Sequence, residues 1–192
     1  MDISWWKNHP SPVSFFCWNS PEDFFGGYDH GRQAGVVHYA NHHFVPGKKF
    51  FEWGVGPEGQ LWSEILTDTD GPYLELMAGA YSDNQPDYSW IQPGEVKSWK
   101  HYWYPVQRLG AFKNATLDAA VNLELTNRVI KLAFNTTAEF ANATAKVTLA
   151  GKTLFERKLK IGPAQPFATD ILLENEAAPE QLRAALVTAE GR

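Results

Sequence analysis

Between residues 121 and 173 apolar and polar side chains alternate. Val121, Leu123 and Leu125 are followed by Ile130, Leu132 and Phe134, by Val147 and Leu149, by Phe155, Leu159 and Ile161, and by the run from Phe167 to Leu173. A period of two sends successive side chains to opposite faces of a sheet, so this stretch predicts short strands with one face toward a core. Ala150-Gly151-Lys152 reads as a hairpin turn, and a turn about every ten residues predicts a small immunoglobulin-like β-sandwich over residues 121–174. Upstream, β-branched and aromatic runs predict strands over 14–18, 35–44, 49–55, 73–80 and 96–106, separated by long loops rich in Gly and Pro. Residues 109–120 read as a linker. In the tail, 175–192, Pro179 at a first helical position and Glu180 in the first turn predict a short C-terminal helix. The expected class is all-β.

Composition sharpens the division. All eight Trp and all seven Tyr lie between Trp5 and Tyr104, whereas the remainder is built on Ala, Thr, Leu, Val and Phe, which places a domain boundary near residue 108. With 192 residues, 44% apolar and 20% charged, the chain is long enough to bury a core. Seventeen Lys and Arg against 22 Asp and Glu give a net charge of -5, and no basic cluster exceeds Lys48-Lys49, so nucleic acid is not an expected partner. Cys17 is the single cysteine, which excludes an intrachain disulfide and a cysteine-built metal site. The N-terminus lacks a basic stretch followed by an apolar one, and no apolar run reaches membrane-spanning length; the expected setting is cytoplasmic, without a membrane partner. In that setting the Asn-x-Thr triplets at Asn114, Asn135 and Asn142 carry no glycan.

The candidate chemistry clusters after residue 72. Leu74, Leu76 and Ala78 alternate with Tyr73, Glu75 and Met77, so Glu75 sits opposite the most apolar face of its strand. The loop that follows offers Asp83, Asn84, Gln85 and Asp87 beside Tyr88 and Trp90. Hydroxyl-rich, flat-faced ligands need that mixture of polar groups and aromatic faces, so the predicted ligand is a carbohydrate. Trp53, Tyr81, Trp99 and Trp103 are further aromatic candidates, although half-buried strands also select such residues for packing. The stretch from Gly35 to Phe44 carries His38, His42 and His43. On one strand His38 and His42 stand about 13 Å apart and His42 and His43 face opposite ways, so no metal site is expected there. No cofactor is expected either. Asp68-Thr69-Asp70-Gly71 lacks the closing acid of a calcium loop and reads as a turn between strands. Gly54-Val55-Gly56-Pro57-Glu58-Gly59 has the wrong spacing for a phosphate loop and no expected helix after it.

Glu75, the loop Asp83-Asn84-Gln85-Pro86-Asp87 and the turn Pro93-Gly94-Glu95 resemble the C-terminal catalytic motif of the galactose mutarotase (aldose 1-epimerase) superfamily. Closer still, Gly47-Lys48-Lys49-Phe50-Phe51-Glu52-Trp53-Gly54 and Tyr73-Leu74-Glu75-Leu76-Met77-Ala78-Gly79 are similar to patterns of a family of unknown function, DUF5107. The resemblance spans roughly residues 5 to 125 and implies that residues 1–108 are the C-terminal part of a mutarotase-like supersandwich. It also implies a role for Glu75 as general base, with a histidine, His38 or His43, as the acid that protonates the ring oxygen, and a ligand contact for Lys49. A supersandwich needs roughly twice the length that precedes the linker, so the chain reads as a fragment whose unpaired edges favour self-association. Three functions follow: a carbohydrate-recognition region, an aldose epimerase or other sugar-active enzyme, and an interaction scaffold.

Overall fold

The computed structural model describes residues 2–191. Its strands, in chain order, are β1 (Val13–Phe16), β2 (Phe24–Asp29), β3 (Ala34–Tyr39), β4 (Lys49–Glu52), β5 (Leu74–Met77), β6 (Tyr102–Gln107), β7 (Asn114–Ala115), β8 (Ala119–Thr126), β9 (Val129–Thr136), β10 (Phe140–Leu149), β11 (Lys152–Ile161), β12 (Phe167–Leu172) and β13 (Leu182–Val187), with one α-helix among the described residues, α1 (Pro57–Thr67). The fold is all-β in class, and every pairing between these strands is antiparallel. No helix among the described residues is long and apolar enough to cross a membrane.

The chain forms two compact units whose boundary is not the step in aromatic content. One unit takes the residues up to Glu22 together with Ala40–His101; the other takes Asp23–Tyr39 and everything from Tyr102 onward. In the first unit β1, β4 and β5 form a sheet in the order β1-β4-β5. Gly56 caps α1 and Pro57 occupies its first turn, where the missing N–H of proline costs nothing. A helix therefore does begin within the glycine-rich stretch at 54–59, and Asp68, read as a turn between strands, is instead its C-cap.

The second unit holds three sheets, ordered β2-β3-β6, β12-β9-β8-β7 and β11-β10-β13. Ile130, Leu132, Ala143, Ala145, Val147, Ile161 and Leu182 are buried together where the last two share their apolar faces, giving a sandwich-like pair. The alternation over 121–173 corresponds to β8 to β12. Residues 109–120 are not a linker: Leu109, Ala115 and Ala120 are buried with Val37, Val106 and Ala133 in a second core. The expected tail helix is also absent. Pro179–Gln181 makes one 3-10 turn, and β13 then pairs with β10 from Leu149↔Leu182 to Thr144↔Val187. Leu182, Ala184 and Leu186 point to the core at a period of two, and core burial with a free strand to pair with outweighs a weak local helix signal.

Tyr104 on β6 ties the second core together, its hydroxyl donating to the carbonyls of Thr116 at 2.7 Å and Ala119 at 3.4 Å. Burial, with Tyr39 and Asp118 adding to it, raises its ionisation well above the usual tyrosine value of 10.0. Because the folded state holds this proton more tightly than the unfolded chain, the resulting stability is present below pH 10.0 and is lost as pH rises through the raised folded value. Tyr104→Phe is expected to lower stability by about 1 kcal/mol near neutral pH. In urea unfolding followed by circular dichroism, it also flattens the fall in stability on the alkaline side.

Candidate functional site

The site grows from the register of three short strands. Phe16, Lys49 and Met77 stand opposite one another across β1, β4 and β5, and so do Ser14, Phe51 and Glu75 in the next row but one along the same face. Two residues expected at a ligand, Lys49 and Glu75, thus share a face. Before β4 the chain passes close to the segment that follows β5: the Gly47 N–H donates to the Gly79 carbonyl at 3.0 Å. A Cβ at residue 47 would lie 1.9 Å from the Tyr81 carbonyl oxygen, so only glycine allows this approach.

Between these segments lies a cleft of about 310 Å3, lined by Gly47, Lys49, Met77 to Tyr81, Asp83 and Trp99. The Lys49 side chain is carried to it from β4 and is 6% exposed. Its Nζ donates to the Asp83 carbonyl and lies 3.5 Å from the Asn84 Oδ1; it also lies 5.7 Å from the centre of the Phe16 ring. The Asp83 carboxylate accepts from the Ser89 hydroxyl. Tyr81 is covered by the Lys97 ammonium, 4.1 Å from the ring centre, and Lys97 Nζ donates to the Ala80 carbonyl at 3.2 Å. Trp99 leaves 41% of its surface open. Met77, also on the cleft, is 44% exposed.

The other expected site residues are distributed differently. Glu75 is half-buried and its carboxylate accepts from the Tyr73 hydroxyl at 2.8 Å. That hydrogen bond is the leading reason that Tyr73 ionises above its usual range. The apolar face opposite Glu75 is only partly covered, with Leu74 38% exposed. His38 is fully buried on β3, in a row with Phe25 and Trp103 of the flanking strands, and its ring centre is 5.2 Å and 4.8 Å from theirs. His43 is exposed in the turn after β3, its ring 3.9 Å from that of His42. The hydrogen bond seen at the Glu75 carboxylate is the one from Tyr73. Gln85 and Asp87 are exposed, and the Asp87 N–H bonds the Asn84 carbonyl at 2.8 Å, closing the loop on itself. Tyr88 and Trp90 present open rings, 69% and 77% exposed, whereas Trp53 packs against Tyr73 and Trp62.

Two features had no sequence signal. Lys97 meets Tyr81 and Ala80, two residues of the cleft wall, only because the loop folds back over Tyr81. Elsewhere in the same unit His9 Nδ1 lies 2.8 Å from Glu52 Oε1, both side chains almost wholly buried. That approach is an ion pair by distance but is not aligned as a straight hydrogen bond.

Replacing Gly47 by Ala is expected to displace the Tyr81 backbone and spoil the cleft while leaving the sheet of β1, β4 and β5 in place. Circular dichroism close to that of the wild type, with changed tryptophan emission, is the expected pair of readings.

Comparison with known families divides the chain near residue 110. A family model described as Domain of unknown function (DUF5107) matches residues 1–106. A second, described as YphG-like protein, second domain, is similar to residues 114–192. No solved structure matches the chain.

Proposed function

For a chain that belongs to the DUF5107 family, whose description names no activity, we propose that the first unit recognises a carbohydrate in the cleft beside Lys49. The carrying observation is the combination of a buried ammonium, the Asp83 and Asn84 loop and an open Trp99 ring around one cleft. A pyranose offers C–H groups to an aromatic face and hydroxyls to charged and amide partners, and this cleft supplies both within one wall. Its volume of about 310 Å3 lies at the lower end of small-ligand sites. The resemblance of residues 75 to 95 to the mutarotase-like motif supports the same ligand class.

Binding without turnover is the reading that fits the geometry of Glu75. Ring opening needs a base and an acid acting together, and Glu75 is engaged by a tyrosine hydroxyl. The experiment is a titration of the full chain with monosaccharides and short oligosaccharides, read as quenching of tryptophan fluorescence, beside polarimetry of freshly dissolved aldose. Saturable quenching that is lost in Trp99→Ala, with anomer interconversion at the buffer rate, is the expected result. Acceleration of interconversion that disappears in Glu75→Gln would replace the binding reading with the epimerase one.

A further inference from the structure

Lys49 is held in a way that a purely structural lysine seldom is. Its side chain is nine-tenths buried, and a lysine so buried ordinarily faces a carboxylate. Here the ammonium meets a main-chain carbonyl, an amide oxygen and a phenyl ring. All three are neutral, so its charge is hydrogen-bonded but not cancelled. The single carboxylate on the cleft wall, Asp83, accepts the neutral Ser89 hydroxyl through one oxygen, and its hydrogen bond to Lys49 comes through its main-chain carbonyl. Lys97 adds a second ammonium at the rim, held over Tyr81 by the ring face and the Ala80 carbonyl, again without an acidic partner.

Lys49 on the cleft wall and Lys97 over the lining residue Tyr81 set two positive charges against the one negative charge of Asp83, which its hydrogen bond from Ser89 does not cancel, and so leave a net positive charge around the cleft in a chain of net charge -5. Partial desolvation strengthens the field at Lys49, since the effective dielectric falls with burial. We propose that the ligand is an anionic sugar, one bearing a carboxylate or a phosphate, with Lys49 as the residue that receives the anionic group, Lys97 assisting from the rim and Trp99 stacking on the ring. This rests on the carbohydrate reading above and narrows it.

The test compares matched pairs on the full chain by isothermal titration calorimetry at low ionic strength: glucose with glucuronate and glucose 6-phosphate, galactose with galacturonate. At least one anionic member is expected to bind about tenfold or more tightly than its neutral parent, and to lose most of that margin near 0.5 M salt, where screening is strong. Whichever of carboxylate or phosphate wins identifies the anion. In Lys49→Met, checked for folding by circular dichroism, the anionic and neutral members are expected to bind alike, while Lys49→Arg retains part of the preference. Equal binding of neutral and anionic sugars by the wild type overturns the inference and leaves the carbohydrate reading standing. No binding of any sugar overturns both. A folded Lys49→Met that keeps the full preference removes Lys49 from the role assigned to it. The sugar pairs decide the matter on the wild type alone should that variant fail to fold.

Discussion

Glu52→Ala is expected to destabilise the first unit by about 3 to 5 kcal/mol, the cost of leaving one partner of a buried ion pair behind. Glu52 and His9 are 2% and 4% exposed, and Glu52 Oε1 stands 2.8 Å from His9 Nδ1. Glu52 also accepts the Gly54 N–H at 2.5 Å through its other oxygen, while the Val55 N–H donates to the His9 carbonyl at 2.8 Å. The pair thus fastens the N-terminal segment to the end of β4, just ahead of α1. Removing the carboxylate strands a buried imidazole and an amide N–H together. The double variant His9→Phe/Glu52→Leu should recover much of the loss, because an apolar pair of similar volume escapes the desolvation cost of both ionisable groups. Urea unfolding read by tryptophan emission suits the test, since seven of the eight tryptophans, all but Trp103, lie in this unit. A loss below about 1 kcal/mol, or a double variant weaker than the sum of the singles, would show that the contact carries little of the fold.

The second large effect is expected at Ile130→Ala, about 2 to 5 kcal/mol. Ile130 is wholly buried on β9 among Ala143, Ala145, Val147 and Ile161. Ala143 and Ala145 of the same cluster have no side chain beyond Cβ with which to close the space that the lost methylenes leave. Ile130→Val at the same site should cost only about 0.5 to 1.5 kcal/mol. Circular dichroism at the strand minimum, which follows both sheets of the sandwich, measures the two variants. Similar costs for Val and Ala would mean that the core relaxes and is not tightly packed here.

The comparison with sequence expectation turns on how far apart the decisive groups lie. Strands β8 to β12 were legible because a half-buried strand writes its own period of two, as in the alternating burial of Phe167–Leu172. β13 carries the same alternation, yet Pro179 and Glu180 imitate a helix start. What overrides them is pairing with β10, a strand more than thirty residues earlier. α1 was hidden by Gly59 in its first turns and by Leu61, Ile65 and Leu66, apolar residues that remain exposed on it. His38 was read as a candidate acid because a histidine in a strand has no mark of its neighbours; only the pairing of β3 with β2 and β6 places it between Phe25 and Trp103.

By itself, the order of residues determined the all-β class, the placing of Glu75 and Lys49 on short strands and the polar, aromatic character of the loop beside them. These are local properties, set by side-chain period, turn residues and composition within a few positions. The tertiary structure alone decided that Lys49 is buried against the Asp83 carbonyl 34 residues away, that Lys97 covers Tyr81 and that His9 meets Glu52. Closing such distant contacts costs chain entropy that no local pattern repays; they exist because the strands and the glycine at position 47 bring the segments within reach.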